Sequence, residues 1–181
     1  MEKETRNKER RKNKTNAKSR IVLEYTAFMN IAKEIANLST CCKHKVGCVL
    51  IKDDRIISIG YNGTYANEIH CTNIFNNKYD LNKEEERNKF CEEHHIFASL
   101  YEVHAEQNCI SNAAKEGIVT NNSIAFVTLE PCSDCLKLLI ASGVSKVIYD
   151  KQYDRAVDSK LRRKYCVKFS DYIQNVHLAK K

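Results

Sequence analysis

The sequence predicts an α/β protein in which helices cover a mixed, roughly five-stranded central sheet. Short runs of β-branched and apolar residues alternate with helical patterns along the chain. A length of 181 residues suits one domain that buries a core of its own. The hydrophobic share of 43% is ordinary for a globular protein.

The first 19 residues have a composition unlike the rest of the chain. They contain no large aliphatic residue beyond Met1 and no aromatic residue, so they cannot bury enough surface to offset the entropy lost on ordering. Residues 1–20 also hold +6 of the formal net charge of +7. We predict a disordered basic arm at 1–19, followed by one domain at 20–181. Such an arm can bind nucleic acid or act as a nuclear-import signal. The alternative is a solvated tail with neither role.

A helical apolar pattern begins near Ile21. Its members are Leu23, Phe28, Ile31, Ala32, Ile35 and Leu38. Two β-rich runs follow at 45–51 and 55–60, and the polar residues 52–54 between them indicate a hairpin. Because both runs are apolar at consecutive positions, we expect this part of the sheet to be covered on both faces.

Residues 64–100 are rich in Asn, Glu and Lys and lack a sustained period, so we predict an insertion there. Regular patterns then resume as a helix, a strand, a helix and two strands, at about 104–115, 124–129, 131–143, 146–149 and 166–169. Pro131 suits the first turn of the second of these helices.

The strongest chemical signal is a pair of short segments, HAE at 104–106 and PCSDC at 131–135. Catalytic zinc sites use three protein ligands, including imidazole nitrogen and thiolate sulfur, and leave the fourth position to water. Cys132 and Cys135 are three apart in a first helical turn, so they project from one face, where the positive helix end favours thiolates. We therefore predict that His104, Cys132 and Cys135 bind a catalytic Zn²⁺.

Glu106 is the predicted catalytic residue. It lies two residues after His104 on a helix, so it points beside the metal and not at it. The pattern H-x-E…P-C-x-x-C is the signature of zinc deaminases, in which zinc lowers the pKa of a bound water toward about 7 and the glutamate moves protons. A closed structural zinc site is the alternative, but it normally needs a fourth protein ligand.

The sequence resembles the deoxycytidylate (dCMP) deaminases over about residues 21–155. The resemblance is carried by CCKHKVG at 41–47, RIISIGYNG at 55–63, VHAEQN at 103–108, FVTLEPCSDC at 126–135 and GVSKVIYDKQYD at 143–154. It implies a three-layer α/β/α cytidine-deaminase-like fold and hydrolysis of dCMP to dUMP and ammonia, which feeds dTMP synthesis. It also implies a pyrimidine deoxynucleotide as the small-molecule partner and a homo-oligomer, commonly a hexamer.

The resemblance also suggests two substrate-binding residues. Asn62 matches the asparagine that contacts the nucleoside in related deaminases, and Tyr153 lies in the family's Tyr-Asp segment. Asn62 with Gly63 is a strong turn signal by itself, and Tyr153 is equally suited to packing. Tyr65 stands where many members have a proline, in a loop linked to activation by dCTP and inhibition by dTTP. The backbone options of the loop differ without proline, so allosteric regulation is left open.

Some members of the family carry a second, structural zinc. The ligand set that this implies here is Cys41, Cys71, His94 and Glu102, and such an ion would fix the insertion to the core. Several other residues compete for the same role, namely Cys42, Cys91, His70 and His95. Free thiols and surface histidines are the alternative.

Composition restricts the compartment and the partners. Nine cysteines are an odd number and do not suggest a disulfide framework, and no stretch approaches the roughly 20 apolar residues of a membrane span. We predict a cytoplasmic protein with no membrane partner, and no nucleic-acid partner except through the basic arm. Two other functions stay open: a tRNA adenosine or other nucleic-acid deaminase, and a non-catalytic zinc-stabilised binding module. The second would have no need of Glu106.

Overall fold

A computed structural model describes the backbone of residues 2–154 and 159–178 and the side chains of residues 19–154 and 159–175. The side chains of residues 1–18 lie outside this description. The division into a disordered arm at 1–19 and one domain at 20–181 therefore stays a prediction. Within the described ranges, no helix has the length and apolar character needed to cross a membrane.

The described chain alternates between helices and strands. The helices are α1 (Glu2–Ala36), α2 (Cys71–Phe75), α3 (Glu84–Tyr101), α4 (Ala105–Lys115), α5 (Ser133–Ala141), α6 (Lys160–Tyr165) and α7 (Phe169–Leu178). The strands are β1 (Gly47–Lys52), β2 (Arg55–Tyr61), β3 (Gly63–Thr64), β4 (Glu102–Val103), β5 (Ile124–Leu129), β6 (Lys146–Lys151) and β7 (Cys166–Lys168).

Five strands form the central sheet in the order β2-β1-β5-β6-β7, while β3 and β4 form a separate two-stranded ladder. Strand β1 pairs antiparallel with β2 and β5, whereas β5 pairs parallel with β6, and β6 with β7. The predicted mixed, five-stranded sheet is confirmed.

Alternate residues of the central strands face two different layers of helices. Cys48 and Leu50 of β1 belong to a core cluster that also contains residues of α4 and α5. Their neighbours Val49 and Ile51 belong to a second cluster with residues of α1, against which side chains of α7 also pack. Helices therefore cover both faces, and the architecture is three layers, α/β/α, as the resemblance implied.

The hairpin between β1 and β2 turns at Asp53 and Asp54. Both have positive φ, 50° and 58°, as the favoured two-residue hairpin turns require. The prediction that both strands are covered on both faces holds for β1 but is wrong for β2. Strand β2 is at the sheet edge, and its residues Ile56, Ile59 and Tyr61 are about two-fifths exposed, at 43%, 38% and 40%.

Helix α1 packs through the middle of the predicted apolar face. Ala32 is fully buried, and so is Met29, which the predicted face did not include, whereas Leu23 and Leu38 are 71% and 55% exposed. The prediction is wrong at these two ends. Leu38 lies beyond the last residue of α1, Ala36. Leu23 lies before Tyr25, the first residue of α1 that packs against the second cluster of the sheet.

The segment predicted as an insertion contains two helices, α2 and α3, which the sequence pattern did not reveal. Their apolar side chains, together with Cys41 from the loop after α1, form a third cluster that is separate from the two clusters of the sheet. Its buried members are Cys41, Cys71, Phe75, Phe90 and Phe97. Helix α7 at the C-terminus was also not predicted.

Candidate active site

The predicted metal ligands lie at the N-termini of two helices that meet at one end of the sheet. His104 is the N-cap residue of α4, and Cys132 is the N-cap residue of α5. The backbone N–H of His104 donates to Oε1 of Gln107 at 2.8 Å, and the backbone N–H of Cys135 donates to Sγ of Cys132 at 3.5 Å. These local bonds hold the side chains at the helix ends.

The three side chains form a cluster of suitable size for zinc. The Nδ1 of His104 lies 3.3 Å from Sγ of Cys135 and 3.7 Å from Sγ of Cys132. In a tetrahedron with ordinary Zn–N and Zn–S bonds, two such ligand atoms are about 3.6 Å apart. Within the described residues this cluster has three members, which leaves one tetrahedral position for a small molecule.

Electrostatics in the cluster favour a thiolate at Cys132. The hydrogen bond from the Cys135 thiol, joined by one from His104, lowers the pKa of Cys132 to about 4. The same bond between the cysteines raises the pKa of Cys135, and bonding to Cys132 raises that of His104. Since the thiolate is the form that binds metal, Cys132 is prepared for that role.

Glu106 lies in the first turn of α4 and is 4% exposed. Burial raises the pKa of its carboxyl group above the ordinary value. It lines the same cavity as His104 and Cys132, which has a volume of about 450 Å³. Because the raised pKa favours the protonated form, this buried carboxyl group is better suited than an ordinary glutamate to donate a proton, as a general acid must.

Both predicted substrate residues, Asn62 and Tyr153, line this cavity. Asn62 is buried, accepts from the backbone N–H of Val46 at 2.8 Å and donates to the carbonyl of His44 at 2.8 Å. It therefore fixes the loop before β1, and its amide still has one N–H to offer a ligand. Tyr153 is half-buried, and its backbone N–H donates to Oε2 of Glu130 at 3.2 Å.

The second predicted ligand set is also brought together. The donor atoms of Cys41, Cys71, His94 and Glu102 all lie within 4.8 Å of one another, with Sγ of Cys41 at 3.3 Å from Nε2 of His94. Among the described side chains, Oε1 of Glu102 is buried without a hydrogen-bond partner. A bound cation would satisfy this oxygen, so the donor set fits a metal.

The competing residues have other surroundings. His70 pairs with the hydroxyl of Thr64 at 3.0 Å, and Cys91 accepts from the Lys43 ammonium at 3.5 Å. His95 is exposed and lines the cavity. Cys42 lies nearest to the set, with its Sγ 3.1 Å from Sγ of Cys71, but it is exposed.

Sequence reasoning missed a buried ion pair between Glu130 and Arg162, next to the cysteine loop (residues 131–135). The side chains of Glu130 and Arg162 are 4% and 9% exposed, and Oε1 of Glu130 lies 2.7 Å from Nη1 of Arg162. No local pattern signals this pair, because its members are 32 residues apart and Arg162 belongs to a basic run.

Residues 23–151 match the family model described as the cytidine and deoxycytidylate deaminase zinc-binding region. The chain belongs to this zinc-dependent deaminase family. Its relatives include the deoxycytidylate deaminase of Enterobacteria phage T2, which is 33% identical over 155 residues, 74% of this chain and 82% of the relative. The deoxycytidylate deaminase of Saccharomyces cerevisiae is 34% identical over 70% of this chain, but only 37% of the relative is matched.

A solved member of the deaminase family has the same fold. The dCMP deaminase of cyanophage S-TIM5, in complex with dCMP and dUMP, superposes with a TM-score of 0.56 at 25% identity and covers 84% of this chain and 90% of its own. The predicted resemblance and the predicted fold class are thereby confirmed.

Proposed function

We propose that this protein hydrolyses dCMP to dUMP and ammonia, a reaction that supplies the precursor of dTMP. The observation that carries the proposal is a three-membered His/Cys/Cys cluster with the buried carboxyl group of Glu106 beside it in one cavity. The family match and the dCMP deaminases among the relatives support dCMP as the substrate.

His104, Cys132 and Cys135 would hold a catalytic Zn²⁺, which supplies a water of lowered pKa for attack on the cytosine ring. Glu106 would take one proton from the attacking water and pass it to ring nitrogen N3 as the C4–O bond forms. It would then take the second proton, from the new C4 hydroxyl group, and pass it to the amino group, so that the C4–N bond breaks, ammonia leaves and the C4 carbonyl of uracil remains. Burial supports proton donation because it raises the pKa of Glu106 and so favours the protonated form of its carboxyl group.

A basic wall next to the cavity favours a nucleotide over a nucleoside. A second cavity of about 540 Å³ shares Lys43 and His44 with the first, so the two adjoin. It is also lined by Lys33, Lys45 and Lys151, with one acidic residue, Asp150, which pairs with Lys33 at 3.1 Å. This excess of positive charge complements a 5′-phosphate. Asn62 and Tyr153 are the proposed contacts to the nucleoside part.

A second Zn²⁺ would be structural. Cys41, Cys71, His94 and Glu102 supply four donors, which is a complete tetrahedral set with no position left for substrate. The unpartnered Oε1 of Glu102 supports this assignment. The ion would fasten α2 and α3 to the loop that follows α1, giving two zinc ions per chain.

Assembly and compartment are part of the proposal. The exposed apolar residues Ile56, Ile59 and Tyr61 on the edge strand support a homo-oligomer, with a hexamer as the family's common form. All nine cysteines are free, which supports a reducing compartment such as the cytoplasm.

The decisive experiment measures ammonia release from purified protein offered dCMP, deoxycytidine, dCTP and a tRNA anticodon stem side by side. We expect turnover of dCMP, retained when residues 1–19 are deleted and lost with zinc in Cys132→Ala. Turnover of the tRNA stem alone would instead identify a nucleic-acid deaminase. Zinc binding without release of ammonia from any substrate would indicate a non-catalytic binding module.

A further inference from the structure

The ion pair between Glu130 and Arg162 lies directly behind the cysteine loop. The Nη1 of Arg162 donates to Oε1 of Glu130 at 2.7 Å, and its Nη2 donates to the carbonyl oxygen of Pro131 at 2.8 Å. Cys132 is the next residue along the chain. The guanidinium group therefore fixes two consecutive residues immediately before a proposed zinc ligand.

The other oxygen of Glu130 extends the contact to the segment that carries Tyr153. Oε2 accepts from the backbone N–H of Tyr153 at 3.2 Å, while the backbone N–H of Glu130 donates to the carbonyl of Lys151 at 2.8 Å. One carboxylate thus joins the segment that carries the cysteines to the segment that carries the proposed substrate residue Tyr153.

Arg162 itself is held in place from α6. Ser159, the N-cap residue of that helix, accepts from the backbone N–H of Arg162 at 3.1 Å. Arg162 also lies beyond residues 23–151, the region that matches the family model. The side chain that braces the cysteine loop is therefore supplied from outside the matched region.

We propose that Arg162 and Glu130 are positioning residues for deamination, with Arg162 orienting the cysteine ligands and Glu130 orienting the Tyr153 segment. This inference rests on the proposed function. A planar guanidinium with two donors at fixed angles suits this task, because one group must satisfy a carboxylate and a neighbouring carbonyl together. A lysine ammonium would keep the positive charge but lacks two donor groups held at fixed angles in one plane. Residues that orient metal ligands typically contribute 10–100-fold to metal affinity or activity.

The test compares Arg162→Lys and Glu130→Gln in the full-length zinc-loaded protein. Lys160→Gln is the matched control, since Lys160 is exposed on the same helix. Three quantities are measured: kcat and KM for dCMP, the midpoint of thermal unfolding, and the rate of zinc transfer to a chromogenic chelator. Zinc transfer should occur in separate kinetic phases for the two proposed sites. The phase that is absent in Cys132→Ser reports zinc that leaves the catalytic cluster.

We expect Arg162→Lys to speed zinc release from that cluster and to lower kcat, each by about 10–100-fold, with a smaller change in KM. Glu130→Gln keeps an oxygen for Arg162 but turns an NH₂ group toward the Tyr153 N–H, so it should raise KM more than it lowers kcat. Lys160→Gln should match the wild type in all three measurements.

Two results would overturn the positioning role. One is a lower unfolding midpoint in both variants with unchanged kcat, KM and zinc-release rate at 25 °C, which is the behaviour of a purely structural pair. The other is that both variants change kcat and KM in the same proportion, because separate roles for Arg162 and Glu130 predict different proportions. If Arg162→Lys does not fold, Glu130→Gln decides by its KM effect. If the wild type does not turn over dCMP, the proposed function fails, and zinc release still tests the orientation of the cysteines.

Discussion

Gly60 lies on β2 where the backbone of α4 crosses the strand. A β-carbon at this position would overlap the carbonyl oxygen of Ala105 and the backbone nitrogen of Cys109, and would lie 2.9 Å from the Cα of Cys109. These atoms belong to the backbone of α4, so no side-chain rotation can relieve the overlap. In Gly60→Ala, α4 must therefore move away from the sheet.

The size of the effect follows from that displacement. The distance to the Cα of Cys109 is about 0.5 Å short of ordinary contact at 3.4 Å, and the other two overlaps are more severe. A shift of roughly 0.5–1 Å in α4 carries Glu106 and the adjacent His104 with it. Overpacking of this kind costs about 1–3 kcal/mol of stability, and a misplacement of about 1 Å can lower the rate about 100-fold.

The assay is urea unfolding of the zinc-loaded protein together with kcat for dCMP. Gly117→Ala is the control: Gly117 has a φ of +65° and open space around its Cα, so alanine there should cost about 1–2 kcal/mol of strain without changing kcat. A folded Gly60→Ala protein with the kcat of the wild type would refute the argument that the close approach of α4 to β2 sets the position of the catalytic groups.

Three further predictions test the site. Glu106→Gln should retain zinc, measured by atomic absorption, and lose about 10²–10⁴-fold in kcat because the proton carrier is gone; wild-type turnover would contradict that role. Lys45→Gln should raise KM for dCMP by about tenfold, the loss of one charged hydrogen bond, and leave KM for deoxycytidine unchanged; an equal rise for both would place the phosphate elsewhere. Cys71→Ser should reduce zinc from two ions per chain to one and lower the thermal midpoint by about 5 °C or more, whereas the neighbouring Cys42→Ser should keep both ions; two ions in Cys71→Ser would exclude Cys71 as a ligand.

The central sheet could be predicted from sequence because its signals are local. Strand β5 has the predicted bounds, Ile124–Leu129, since a run of apolar and β-branched residues ends at turn residues on both sides. Helix α3 could not be predicted, because its buried face consists of Phe90, His94 and Phe97 within a helix that is otherwise rich in charged residues. Those three side chains become part of a core through contact with Phe75 of α2, a separate helix earlier in the chain.

The site shows the same division. His104, Cys132, Cys135 and Glu106 follow a short spacing pattern, and the structure brings the first three into one cluster. The contact between Glu130 and Arg162 depends on how α6 returns to the sheet, so nothing in the neighbouring sequence signals it. In the sequence, Arg162 is followed by Arg163 and Lys164, a pattern more typical of a solvated surface than of a buried pair.

Helix α3 contributes His95 and Ala98 to the wall of the catalytic cavity, while its apolar side rests on a cluster of its own. Glu106, by contrast, lies on α4, whose buried residues Ala105 and Cys109 pack in the first cluster of the sheet. One wall of the cavity and the carboxyl group of Glu106 are therefore held by different hydrophobic clusters. We expect substitutions at exposed positions of α3 to leave the packing around Glu106 unchanged.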